Sequence, residues 1–103
     1  MITRMWRGWT TEASADDYER FLLQELFPAM HAIRGFLGAE VLRRPDAGEV
    51  AFVTLVRFEA LDDVKDFAGD DFERAVIEPR AAELLTRWDE CAAHYETSSF
   101  GAS

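Results

Sequence analysis

The stretch Val50-Ala-Phe-Val-Thr-Leu-Val-Arg-Phe58 is apolar on both sides of an extended chain. Val50, Phe52, Thr54, Val56 and Phe58 lie on one side; Ala51, Val53 and Leu55 lie on the other until Arg57 interrupts them. A strand with one wet face alternates apolar with polar residues, so each side of this strand requires a cover. The remaining chain is expected to cover one side, and a second copy of the same chain the other.

Immediately upstream, Pro45-Asp-Ala-Gly48 has the composition of a tight turn. It joins residues 50–58 to a preceding strand over residues 36–44 as a hairpin. Further back, Tyr18, Phe21, Leu22, Leu26, Ala29, Met30 and Ile33 recur at three- and four-residue spacing, which predicts a helix with one apolar stripe. Ser14 is placed to cap it, Asp16 and Asp17 suit its first turn, and Asp16 can pair with Arg20. Pro28 should kink or end the helix near Phe27, and Gly35 should stop it. Residues 2–10 read as the first strand.

Downstream, Leu61, Val64, Phe67 and Ala68 give a second, shorter helical stripe that Gly69 interrupts. Asp70 or Asp71 is expected to cap a further turn holding Phe72, Ala75 and Val76, ended by Pro79. Residues 81–87 suggest one more short helix, and residues 88–96 a fourth strand. The order strand, helix, strand, strand, helix, strand is the α+β, ferredoxin-like βαββαβ pattern, with a four-stranded antiparallel sheet and both helices on one face. Residues 1–97 are expected to form a single domain and 98–103 a loose tail.

Net charge is −9, from 20 acids against 11 bases. A phosphate backbone or an anionic membrane surface needs a basic patch, so neither nucleic acid nor membrane is an expected partner. The single cysteine, Cys91, permits no intrachain disulfide and fits a reducing compartment; its place in the last strand predicts a small core residue. No stretch approaches the ~20 apolar residues of a membrane span, and the N-terminus has no apolar leader segment. A cytoplasmic protein is expected.

Four segments carry a family likeness: Met1-Ile-Thr-Arg-Met-Trp-Arg-Gly8, Arg34-Gly-Phe-Leu-Gly38, Arg57-Phe-Glu-Ala-Leu-Asp-Asp-Val-Lys-Asp-Phe-Ala-Gly-Asp-Asp71 and Ala93-His-Tyr-Glu96. Together they resemble the antibiotic biosynthesis monooxygenase family of the dimeric α+β-barrel superfamily. The resemblance implies a homodimer in which two sheets pair into a barrel, with an apolar pocket between each sheet and its own helices. Some members of that family oxidise phenolic or polyketide aromatics with molecular oxygen and no metal or flavin. An electron-rich phenol or enol, once deprotonated, can itself reduce oxygen, and the protein supplies a dry pocket, orientation and a base.

Trp6, Phe67, Phe72 and Trp88 are suitable lining for such a pocket, although aromatics also fill ordinary cores. His94 and His31 are the only histidines, hence the base candidates. His94 belongs to the set Glu90, Ala92, His94 and Glu96, whose polarity suits solvent or an interface as well as a pocket. His31, near the end of the first helix, suits capping of its carbonyls. Arg4 shares the face of Trp6 and could hold an oxyanion or carboxylate, or form an ion pair across a dimer. Arg74 and Arg80 could guard a pocket mouth.

The haem-degrading branch of the superfamily implies an Asn in the first strand and a Trp and an iron-ligating His around the second helix. Those places fall at Trp6, Phe67 and Ile77 here, and none matches. The frequent Trp at the end of the third strand is Phe58. Asp70, Asp71 and Glu73 cluster without a histidine at ligand spacing, so no metal is expected, and no phosphate loop, nucleophile elbow or Cys-x-x-Cys pair is present. The leading functional expectation is a cofactor-independent monooxygenase acting on a small aromatic or polyketide-like compound. The alternatives are a non-catalytic dimeric binding or stress-associated protein, and an isomerase or lyase in which His94 or His31 moves a proton.

Overall fold

A computed structural model describes residues 1–101; positions 102 and 103, the end of the expected tail, lie outside the described residues. The chain runs β1 (Ile2–Thr11), α1 (Ala15–Phe21), a π-helical turn (Leu22–Leu26), α2 (Phe27–Ala29), a 3-10 turn (Met30–Ala32), β2 (Phe36–Asp46), β3 (Glu49–Phe58), α3 (Leu61–Ala68), α4 (Pro79–Leu84), β4 (Leu85–Trp88) and β5 (Ala93–Glu96). The antiparallel sheet has the order β2-β3-β1-β4, with β5 also paired to β1. This is the expected α+β ferredoxin-like arrangement, with its last strand in two pieces.

The strand β3 sits at the centre and its two faces differ as its sequence requires. Val50, Phe52, Thr54, Val56 and Phe58 are buried, packed with Tyr18, Phe21, Leu22, Phe27 and Met30 of the first helical run and Val64 of α3. Each such large apolar side chain contributes about 1.5–3 kcal/mol on leaving water. The β1 register places Arg4 opposite Val56, Trp6 opposite Thr54 and Gly8 opposite Phe52 on this inner face. On the outer face Ala51, Val53 and Leu55 remain half-exposed. Leu42 (48% exposed) and Tyr95 (54%) flank them, and among the described residues no helix covers that side.

Pro28 neither ends the helix nor sharply breaks it. The turn before it widens instead, so that the Phe27 N–H donates to the Leu22 carbonyl five residues back. A proline ring clashes with the carbonyl four residues before it, and the wider turn relieves that crowding while the helix continues. Ser14 makes no side-chain cap; its own N–H donates to Thr11 Oγ1. Arg20 pairs with Asp17, and Asp16 with Arg43 across to β2. The hairpin is tighter than expected: Pro45 and Asp46 belong to β2, and only Ala47 (φ 49°) and Gly48 (φ 86°) form the turn, both left-handed as two-residue hairpins require.

Five expectations for the C-terminal half are corrected. The predicted last strand is interrupted at Asp89–Ala92, because the Asp89 N–H donates to the Arg7 carbonyl while its own carbonyl accepts from Trp6 Nε1. Phe72, Ala75 and Val76 form no helical turn. Asp71 opens only a tight turn over Phe72 and Glu73, with Arg74 N–H on its carbonyl at 3.1 Å. Beyond it the chain pairs with the interruption, with Ala75 N–H on the Glu90 carbonyl at 2.8 Å, Ala92 N–H on the Glu73 carbonyl at 2.7 Å, and Arg74 bridged to Cys91. Pro79 therefore opens α4 rather than closing a turn, at the position where a helix needs no N–H. That helix stops at Leu84, so Arg87 lies in β4. Cys91, carried outward by the interruption, is exposed and not a core residue.

Candidate ligand chamber under the helices

The inner face of β1 and β3, the first helical run and the segment of residues 69–78 enclose an apolar chamber. Arg4, Trp6, Thr54 and Val56 form its floor. Tyr18, Phe21, Leu22, Leu26, Phe27 and Met30 form its roof, and Phe67, Val76, Glu78 and Ala81 close its sides. The π turn supplies Leu22 and Leu26 to the roof, a use of π turns that recurs at functional sites. The free space is about 40 Å³, enough for a water or two and far below the ~300 Å³ of a site for a drug-sized ligand. Admission of an aromatic compound therefore requires a wall to move. Residues 69–78 are the wall outside any helix or named strand: Gly69, at φ 82°, ends α3, and α4 begins at Pro79.

Arg4 is the unusual member of this floor. It is 4% exposed and carries no ion pair among the described residues. Its Nη1 donates to the Phe72 carbonyl and to His94 Nε2 at 2.9 Å, and its Nη2 to the Arg74 carbonyl at 3.1 Å. The guanidinium lies 5.5 Å from the centre of the Phe67 ring, a cation–π distance. Burial lowers its pKa to about 10, which leaves it charged at neutral pH. A buried charge without a counter-ion is costly, and here only carbonyl dipoles, one imidazole and one ring face offset that cost.

The sequence-predicted residues are gathered in part. Arg4, Trp6 and Phe67 line the chamber together, and Trp6 is anchored by its indole N–H on the Asp89 carbonyl at 2.6 Å. His94 stands opposite Arg4 in the β1–β5 register, on the inner side rather than facing solvent. It is one layer removed from the chamber, with Phe72 edge-on at 5.2 Å. Burial first, and then the charge of Arg4, hold its pKa below the ordinary imidazole value. Phe72 reaches the site through its carbonyl. Trp88 stands opposite Gly8 in the ladder, 36% exposed, away from the chamber. His31 is exposed on the 3-10 turn, packed edge-on against Phe36 at 5.3 Å. Arg74 and Arg80 are solvent-side ion pairs with Asp71 and Glu83.

Tyr18, Thr54 and Glu78 were not singled out by the sequence as site residues. Tyr18 and Thr54 are buried, and their hydroxyls bond no protein group among the described residues. Every sealed side-chain nitrogen and oxygen has a partner, so these two hydroxyls keep some accessible surface, and both residues line the chamber. Burial also raises the pKa of the Tyr18 phenol, keeping it a neutral donor. The signal was present: each is a polar group inside an otherwise apolar inward-facing set. Glu78, at the rim, forms no ion pair among the described residues; nothing in its sequence surroundings distinguished it.

No family model matches the sequence, and no curated protein matches it. The fold, however, is shared with solved structures. One, described as a putative antibiotic biosynthesis monooxygenase from Bacillus cereus, superposes with a TM-score of 0.65 at 19% identity over 100% of this chain and 96% of that one. Rv0793 from Mycobacterium tuberculosis gives 0.63 at 16% identity, over 98% of both chains. A point mutant of MhuD with two manganese protoporphyrin IX molecules bound per active site gives 0.63 at 15% identity, over 100% of both. At such identities the likeness is one of fold, and it is the fold the sequence resemblance implied. The present residues do not fit a haem: Ile77 stands where the resemblance implied an iron ligand, and neither histidine lines the chamber.

Proposed function

We propose that this protein is a cofactor-independent oxygenase of the antibiotic biosynthesis monooxygenase type, acting on a small aromatic or polyketide-like compound in the chamber between sheet and helices. The observation that supports it is an apolar chamber lined by two buried residues whose hydroxyls bond no protein group among the described residues, Tyr18 and Thr54, and by one buried cation, Arg4. Such a site binds an aromatic body, donates to its carbonyl oxygen and favours its conjugate base over the neutral form.

For an anthrone-type substrate the chemistry balances without a further reductant. Loss of one ring-methylene proton, with Glu78 at the rim relaying it to solvent, gives an enolate. Oxygen adds at that carbon, the resulting peroxide takes a proton back from solvent through Glu78, and loss of water from the hydroperoxide leaves a carbonyl. The methylene thus becomes C=O, one oxygen atom stays in the product, and the other leaves as water with both hydrogens. His94 acts in this scheme through Arg4, since its Nε2 already accepts from that guanidinium.

The closed dimensions of the chamber favour a second reading, a dimeric binding protein that holds such a compound without turnover. Oxygen uptake with a hydroxyanthrone panel and no added cofactor separates the two. One oxygen consumed per quinone formed supports the oxygenase. Binding to the chamber without uptake across the panel removes the oxygenase and leaves the binding protein.

A further inference from the structure

A guanidinium carries five N–H donors. Three of those of Arg4 are accounted for, two on Nη1 and one on Nη2. The Nε–H and the second N–H of Nη2 bond no protein group among the described residues. Nε is not sealed, since no sealed side-chain nitrogen lacks a partner, and Arg4 lines the chamber. Nε and Nη2 are neighbouring nitrogens of the planar fork that matches two anionic oxygens at once. Of the other three donors one is on His94 and two hold the carbonyls of Phe72 and Arg74, in the segment of residues 69–78 that closes one side of the chamber.

We propose that the chamber selects an acidic aromatic ligand bearing two adjacent oxygens, a carboxylate or a chelating enolate, docked on the Nε/Nη2 edge of Arg4, and that its arrival releases the wall segment. This rests on the proposed reading of the chamber as a ligand site and deepens it by naming the ligand class. The ligand anion supplies the missing counter-charge, so the hold of Arg4 on the Phe72 and Arg74 carbonyls weakens as the anion binds. Residues 72–76 then keep their pairing with residues 90–92, the Arg74–Asp71 ion pair and the Phe72 ring contact with His94. Ligand entry and wall opening are one exchange at one guanidinium. The surrounding acidity, −9 overall, gives an anion no long-range steering, so discrimination resides in the contact itself.

The test titrates the full chain with 2-naphthoate and with its neutral isostere 2-naphthamide, and follows amide hydrogen exchange at Ala75 and Ala92. The expected result is naphthoate binding at least about tenfold tighter, with faster exchange at both amides in its complex. Arg4→Gln should abolish the preference, and Arg4→Lys, which keeps the charge but not the fork, should retain only part of it. If Arg4→Gln does not fold, the wild-type comparison decides alone. Equal affinity for the two probes overturns the ligand class while leaving the chamber a binding site. Binding of neither probe overturns this inference and the proposed function together. Tight naphthoate binding with unchanged exchange at Ala75 and Ala92 overturns the linkage to the wall.

Discussion

Arg4 and His94 face each other across the β1–β5 ladder with Nη1 of one 2.9 Å from Nε2 of the other. That contact fixes the imidazole as an acceptor at Nε2 and places its proton on Nδ1. It also makes a protonated His94 a like-charge neighbour of a buried cation, with Glu73 the one opposing charge near it.

Stability should therefore depend on pH through His94. Its folded-state pKa is lowered, by burial and then by Arg4, whereas an unfolded histidine titrates near about 6.5. Below that pH the unfolded chain binds a proton the folded chain resists, so stability is lost as pH falls from about 6.5 toward the folded value. Denaturant titrations at several pH values from neutral down to mildly acidic should show wild type losing more stability than His94→Asn, which keeps an acceptor but not the titration. Parallel losses in the two proteins would remove His94 from this account.

The half-exposed outer face of β3 predicts a dimer closed sheet against sheet, in keeping with the barrel the sequence resemblance implies. Val53→Arg places a charge at the centre of that face and touches nothing on the inner side. Sedimentation at micromolar concentration should give a dimer for wild type and a monomer of unchanged helical content for the variant. A wild-type monomer at that concentration would contradict the pairing.

Tyr18→Phe removes a buried hydroxyl that has no protein partner. Removing an unpaired polar group leaves stability equal or slightly higher, so the thermal midpoint should hold or rise. Affinity for a carbonyl-bearing ligand should fall about 5–10-fold, the equivalent of one lost hydrogen bond of roughly 1 kcal/mol. A large drop in the thermal midpoint would mean the hydroxyl has a structural role.

Ala47, left-handed at φ 49°, carries a strain that asparagine tolerates better. Ala47→Asn completes an Asn-Gly hairpin turn and should stabilise the protein by about 0.5–1 kcal/mol, read as a shifted denaturation midpoint with an unchanged slope.

The fold was legible because its decisive signals are periodic. The two-sided apolarity of residues 50–58 and the stripe from Tyr18 to Met30 each repeat with the geometry of one element. The break in the last strand was not legible, because it depends on Trp6 and Arg7 capturing the backbone of Asp89. Those contacts span the whole chain and leave no local trace. The same holds for the site. Arg4 and Trp6 stood out as residues, but the unengaged edge of Arg4 follows from where the carbonyls of Phe72 and Arg74 fall, some seventy positions away. The ring of Trp88 suits a pocket, but the register places this residue opposite Gly8, outside the chamber lining.

The two margins of the sheet carry a further consequence. The free margin of β2 has an irregularity between Phe36 and Gly38, the paired charges Arg43 and Arg44, and Pro45. At the opposite margin residues 73–75 lie across the gap between β4 and β5. Unpaired strand margins are the templates for fibril growth, and charge, proline, irregularity and cover are the usual defences. With the rims so guarded, strand-to-strand growth along the sheet is disfavoured, and the half-exposed outer face of β3 is the surface left for a second copy in the predicted dimer.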